Sequence, residues 1–227
     1  MTAVNTIEWV RSIQLPFGAQ QEVATEDWQQ VAAQYHEVVP IRACEPLRQG
    51  VPFLHRQTAL QFGSVKALVT AHNGLRLEGE RTLAGSANVR ISLVGRARIQ
   101  HRGQELLLVP GRLLFDYDVD SVYTARTESQ TMMLVLGLAP TEIAAAAAAL
   151  AGPQADPAVF LDRLPEQVLL TEERRSTGIV NRQILRILQL ADRALADPGR
   201  AEDLVKLEGL LHRSLALVLF PEFLKAR

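Results

Sequence analysis

Residues 88–111 read NVRISLVGRARIQHRGQELLLVPG. The first eight alternate in polarity: Val89, Ile91 and Leu93 fall on one face, Asn88, Arg90 and Ser92 on the other. A period of two is the signature of a strand, because successive side chains point to opposite faces. Gly95, Gly103 and the pair Pro110-Gly111 then cut the run into short pieces, as turns do where positive φ or a fixed φ is needed. The pattern predicts adjacent antiparallel strands joined by tight turns. With the apolar set taken as the lining of the fold, Val89, Ile91 and Leu93 form a barrel interior and Arg90 lies outside.

The same texture continues on both sides. VKALVTA (65–71) and LRLEGERT (75–82) flank a His72-Asn73-Gly74 turn, and RLLFDY (112–117), SVYTART (121–127) and QTMMLVLGL (130–138) follow. Short strands at this spacing indicate a sandwich or small barrel. Before it, Thr25 is an N-cap candidate for a helix over 26–37, with Glu26 and Asp27 in its first turn and Pro40 beyond its end. Residues 1–24 show no clear period, although Trp9 and Phe17 could anchor a lid over the barrel. After the strands, PTEIAAAAAALAG (140–152) is a helix by propensity, with Thr141 as its cap and Gly152 as its stop. GPQADP (152–157) reads as a linker.

Two helices close the chain, over 174–196 and 200–219, separated by Asp197-Pro198-Gly199. In the second, Leu204, Leu207, Leu211 and Val218 repeat at seam-like spacing, with Leu210, Leu215 and Leu217 flanking them. That stripe is wider than one partner needs. It either packs wholly on its own fold or offers one side to a second copy of the chain. The fold class is therefore α+β: a small antiparallel β-barrel or sandwich preceded by one helix and followed by a helical hairpin. The expected divisions are an N-terminal segment over 1–52, the barrel over 53–139 and a helical dimerisation region over 140–227, the last compact with the barrel.

Composition narrows the function. The chain has 227 residues, 24 Lys and Arg against 25 Asp and Glu, and one cysteine, Cys44. The balance excludes a basic nucleic-acid coat. A single cysteine excludes an internal disulfide and any multi-cysteine zinc site. Charge drifts from −3 over 1–50 to +2 over 171–227, a mild gradient in which bases alternate with acids. The longest apolar run, Ile143 to Ala151, is too short to span a bilayer, and the N-terminus lacks a signal-peptide profile. A cytoplasmic protein without a membrane partner is expected.

Motifs for chemistry are sparse. The histidines His36, His55, His72, His101 and His212 form no HxH or HxxxH pair. A metal-dependent enzyme would need ligands converging from distant positions, such as His55, His72 and His101. Asp116, Asp118 and Asp120 make a DxDxD run, but the glycine and glutamate of a calcium loop are absent, so an acidic surface loop is expected. Glu78 and Glu80 share a strand face and read as an exposed acidic edge. No nucleophile elbow, phosphate loop or dinucleotide fingerprint occurs. No cofactor and no catalytic residue is expected.

Residues 103–111 resemble the second half of a cupin signature, in which a Pro-Gly turn joins two barrel strands. The longer segment ISLVGRARIQHRGQELLLVPGRLLFDYDVDSVYT (91–124) resembles the regulatory domain of the AraC/XylS family of transcription regulators. Gly95, Gly103, Pro110 and Gly111 match that pattern, as do FGSVKALVTAHNGLRLEGER (62–81) and the paired C-terminal helices. The resemblance implies a barrel that binds a small-molecule effector and a homodimer through helices carrying Leu204, Leu207, Leu211 and Val218. His72, Arg76, Tyr117 and Tyr123 stand near strand ends, where a barrel mouth would lie, and are the pocket candidates. The family reads DNA through a C-terminal helix-turn-helix part. Since the chain ends at Arg227, where the family's linker would begin, DNA contact is expected only through a part that these residues do not include. The alternatives are a stand-alone cupin-like interaction module and, behind it, a metal-dependent cupin enzyme.

Overall fold

The computed structural model describes residues 3–35, 38, 40–79, 85–117, 122–171 and 176–224. His36, Glu80, Asp118 and Asp120, singled out above, lie outside them.

Two antiparallel sheets face each other. The larger has the order β1 (Val23–Thr25), β3 (His55–Phe62), β4 (Val65–His72), β11 (Thr131–Leu138), β6 (Ala87–Val94), β9 (Leu113–Tyr117) and β12 (Gln167–Leu170). The smaller has the order β2 (Ile41–Pro46), β5 (Leu75–Gly79), β10 (Tyr123–Thr127), β7 (Ala97–His101) and β8 (Gln104–Leu108). The sheets do not close on each other. The fold is an α+β cupin-like sandwich, as the strand pattern predicts.

The smaller sheet behaves as a half-exposed antiparallel sheet should. Leu77, Ala97, Ile99 and Ala125 point inward, while Arg76, Arg98 and Arg126 point to water. Cross-strand ion pairs dress the outer side: Arg76 with Glu45 at 3.2 Å and Arg98 with Glu105 at 2.7 Å.

The larger sheet is buried on both faces. Its outer face packs under α3 (Pro140–Ala151), α4 (Pro157–Asp162), α5 (Ser176–Leu195) and α6 (Ala201–Leu219). Val89, Ile91, Phe115, Leu134 and Leu136 join Ile143, Ile184, Ile187 and Leu215 in one apolar core there. A second core, with Leu68, Leu75, Leu77, Ile99, Leu108 and Val135, lies between the sheets. Val89, Ile91 and the partly buried Leu93 therefore face the helices and not the barrel interior. Arg90, expected outside, faces in. The alternation was real, but the apolar stripe went to the larger apolar surface, the helical layer.

The sheets also reach N-terminal to residue 53. β1 pairs with β3 and β2 pairs with β5. Two helices precede the first long strand rather than one: α1 (Ala3–Ser12) and α2 (Trp28–Tyr35). Asp27 caps α2, its Oδ1 accepting from the Gln29 N–H at 2.9 Å. Thr25 ends β1 and instead accepts the Asp27 N–H. Arg56 ties the end of α1 and the segment after it to β3, donating from Nη1 to the carbonyls of Val10, Arg11 and Ile13 and from Nε to Glu22. Phe17 is buried and Trp9 packs beside it, both in the helix-side core. Thr141 lies in the first turn of α3, whose cap is Ala139. The stretch read as a linker leads to α4, capped by Asp156, and to β12 on the sheet edge.

Gly95, Gly103 and Gly111 take φ of 75°, 76° and 88° in the turns that flank β7 and β8 and that follow Pro110. At Gly95 the need is twofold, since a Cβ would also sit 2.2 Å from the Gln130 carbonyl oxygen.

Candidate functional site

The interior face of the larger sheet is unusually polar for a buried surface. It carries His55 and Gln57 on β3, Thr70 and His72 on β4, Arg90 and Ser92 on β6, and Asp116 on β9, all buried. Burying such groups is costly unless they are paired. They fall into two clusters at opposite ends of the space between the sheets.

At one end, Arg90 is ion-paired with Asp116, its Nη1 donating to Oδ2. The Asp116 Oδ1 accepts from Gln167 Nε2 at 2.6 Å, and Gln167 Oε1 lies 3.1 Å from His101 Nδ1. This chain crosses from the larger sheet to the smaller. Tyr123 comes from the facing sheet, its ring centroid 4.5 Å from the guanidinium carbon, a cation–π contact in a desolvated setting. The ring needs Gly79, its register partner on β5, because a Cβ there would fall 2.1 Å from Tyr123 ring atoms. Burial alone would pull Arg90 down, but Asp116 and Tyr123 outweigh it and hold the guanidinium above its ordinary pKa. Burial raises the Tyr123 phenol, against the pull of Arg90. Asp116 is thus no surface loop residue but the counter-ion of a buried arginine.

At the other end, His55 and His72 are register partners with ring centroids 6.0 Å apart and planes 10° from parallel. Among the described residues, neither nitrogen of His55 has a hydrogen-bond partner, nor does His72 Nε2. His72 Nδ1 accepts from the Gly74 N–H at 3.3 Å, which assigns the ring proton to Nε2. Tyr35 stands over His55 and donates to Thr70 Oγ1 at 2.9 Å. Burial pushes His72 down to about 3. It lowers His55 as well, with His72 adding to the effect. Both imidazoles are neutral at pH 7.

Between the two ends lies a cavity of about 40 Å³. Arg90 and Tyr123 border it at one end, His72, Thr127 and Tyr35 at the other, with Leu77, Ile99, Met133 and Val135 as apolar walls. Two of the four pocket candidates, His72 and Tyr123, line it. Arg76 points to water, paired with Glu45, and Tyr117 packs against the helix-side core. Sequence reasoning missed Arg90, Asp116 and Tyr35. The clue for Arg90 and Asp116 was present: a charged residue in the middle of strands otherwise rich in apolar side chains.

Among the described residues no group of three His, Cys, Asp or Glu side chains could hold a metal ion. His101 is the register partner of Tyr123, whereas His72 lies beside Thr127, four residues further along β10. Cys44 is buried, its thiol pushed up to about 12 by burial and by Glu45. It is not a reactive nucleophile.

Leu211 and Val218 are buried in the molecule's own core, and Leu204 and Leu207 pack against it. The stripe thus has its inner side on its own fold, α6 packing against both α5 and α3, while Leu204 and Leu207 stay half-buried. The hydrophobic residues that α5 and α6 leave exposed are Ile179, Leu195, Val205 and Leu210.

The strands and helices define an α+β sandwich with a cavity between its two sheets. The structure is similar to the crystal structure of the AraC-like transcriptional activator CuxR, with a TM-score of 0.59 and 14% identity over 87% of this chain and 69% of that one. Smaller likenesses reach the Cupin_2 domain of an XRE family transcriptional regulator from Enterobacter cloacae (TM-score 0.30, 13% identity, 42% of this chain, 94% of that one) and KdgF from Halomonas sp. (TM-score 0.31, 12% identity, 43% and 83%). No protein-family model and no curated protein matches the sequence. At these identities the likeness is one of fold. Among the described residues no helix is long and apolar enough to cross a membrane.

Proposed function

We propose that the chain is the sensory domain of a transcription regulator of the AraC type, taking a small-molecule effector between its two sheets and performing no catalysis. The observation that carries this is the cavity between Arg90 and His72. Arg90 and His72 of the larger sheet, Tyr123 of the smaller sheet and Tyr35 of α2 converge on it, and among the described residues His72 Nε2 has no hydrogen-bond partner. A core built only for stability would fill such a space with aliphatic side chains. The fold shared with an AraC-like activator supports a regulatory use of that cavity.

Occupancy would reach the rest of the molecule through the larger sheet. Arg90 faces the cavity, and its neighbours Val89 and Ile91 pack on the helices. A ligand that moves β6 therefore acts on α5 and α6 directly. Such a ligand shifts a regulatory equilibrium only by its differential affinity for the two states. DNA contact belongs to a helix-turn-helix part outside these residues. Self-association through the outer side of the hairpin, where Ile179 and Val205 stand 57% and 70% exposed, completes the proposal.

The test is a thermal-shift screen of small metabolites on the wild-type chain and on Ala125→Leu, which adds methyl groups to the cavity wall. A true effector raises Tm in the wild type and not in Ala125→Leu. A hit that shifts both equally binds elsewhere, and the cavity reading fails.

A further inference from the structure

We infer that the cavity selects an uncharged molecule bearing hydrogen-bond acceptor oxygens, about the size of a four-carbon amide, and excludes organic anions and cations of the same shape. This rests on the reading of the cavity as the effector site.

Charge balance is the first argument. The one cation that borders the cavity, Arg90, is already matched by Asp116, and Asp116 is itself held by Gln167. A carboxylate ligand would have to share one guanidinium with Asp116, leaving a net negative charge in a space with little water. A cationic ligand would meet the guanidinium first, and behind it a carboxylate that already has two partners. Among the described residues no other ionised side chain borders the space. The facing histidines do not supply a countercharge, because burial keeps both imidazoles neutral. An unpaired charge in such a setting costs several kcal/mol or more.

Hydrogen-bond polarity is the second argument. Among the described residues the His72 Nε2–H has no partner, and it is fully buried. At the opposite end the Tyr123 hydroxyl accepts from the Arg90 guanidinium, whose Nη1 also donates to Asp116, and keeps its own hydrogen to donate. The cavity thus offers donors at both ends, across walls made by Leu77, Ile99, Met133 and Val135. The complementary ligand presents an acceptor oxygen to these donors and apolar carbons to the walls. A metal ion is a poor alternative, since among the described residues no three His, Cys, Asp or Glu side chains come together to hold one.

Size is the third. About 40 Å³ holds about three water molecules, or one organic molecule of about six non-hydrogen atoms.

The test uses three isosteric probes, isobutyramide, isobutyrate and isobutylamine, each at 20 mM with the intact chain. Binding is followed by the ¹³C-methyl resonance of Met133, which lines the cavity, and that of Met132, which faces the helix-side core as a control. Isobutyramide is expected to move Met133 and leave Met132 in place, with the isobutyrate and isobutylamine shifts at least fivefold smaller. Tyr123→Phe, which keeps the ring and removes its hydroxyl, is expected to weaken the amide response without abolishing folding. If isobutyrate or isobutylamine moves Met133 as much as the amide does, the charge argument is overturned while the cavity reading stands. If none of the three moves it, the cavity takes no ligand of this size and both readings fall.

Discussion

The two sheets of this protein obey the same sequence rule and yield opposite lessons. In the smaller sheet one face meets water, so alternation tells inside from outside: Leu77, Ile99 and Ala125 go in, Arg76, Arg98 and Arg126 go out. In the larger sheet both faces are buried, and alternation says only that two faces exist. There the apolar face of β6 packs under the helices and its polar face, with Arg90, looks into the cavity. A charged residue within an apolar strand is better read as a site than as an exterior whenever the sheet has a helical cover. Here the cover was itself legible, as three helical stretches after residue 139.

The strongest way to break this comparison is at the buried ion pair. Asp116→Ala leaves Arg90 charged and uncompensated in the interior and is expected to cost about 3–5 kcal/mol in urea unfolding. The double variant Arg90→Met/Asp116→Leu removes both charges at similar volume and is expected to stay within about 1 kcal/mol of the wild type. If the two variants are equally unstable, the polar face serves packing, and its reading as a site is wrong.

The two faces can also be compared one residue apart. Leu134 faces the helical layer and Met133 faces the cavity. Leu134→Ala should cost about 3–5 kcal/mol, because it opens a void in a filled core. Met133→Ala should cost about 2 kcal/mol, since one side of that methionine already borders open space. Equal losses would mean that the cavity face is packed as tightly as the helix face.

How much of this was readable follows the same division. Strands between residues 55 and 138, the Gly and Pro turns and the terminal hairpin were readable, because each depends on local chemistry: alternation, positive φ, helical stripes; β1 and β2, before residue 53, were not. β12 was not readable. Its four residues, Gln167 to Leu170, become a strand only because β9 offers an edge. α1 was not readable either: its sequence, AVNTIEWVRS, has no acidic residue in the first turn to mark a start, and its end is held from outside by Arg56. In the site, Tyr123 and His72 were found from their place near strand ends. Arg90 was missed because its direction depends on what covers the other face.

A smaller effect separates the two ends of the cavity by pH. The folded-state pKa of His72 is about 3 and that of His55 is also depressed, against ~6.5 in the unfolded chain. A depressed value means that the unfolded state takes up the proton first. Stability is therefore complete above pH ~6.5 and declines as pH falls toward 3, by up to ~1.4 kcal/mol per unit for each histidine. Urea midpoints measured from pH 8 to pH 4 give the slope. His55→Leu should halve that slope and raise stability at pH 7 by about 1 kcal/mol, because both nitrogens of His55 are unpartnered. A slope unchanged in His55→Leu would mean that His55 titrates normally and that its end of the interior is wet.

The smallest expected effect lies on the outermost layer, where the helical cover itself meets water. α6 spends Leu211 and Val218 on the core, so its remaining apolar surface is a separate matter from the fold. Val205 is 70% exposed and Leu210 40%. Val205→Asp should therefore change monomer stability by no more than ~0.5 kcal/mol. The same substitution places a charge in the middle of the outer face, and a self-associating surface there would not tolerate it. Sedimentation velocity separates the two roles. A wild-type dimer that Val205→Asp splits without loss of secondary structure assigns the outer face of α6 to a second copy. A dimer that survives the change places the contact elsewhere. The comparison of faces would then end at the inner side of the helices, with the outer side simply solvated.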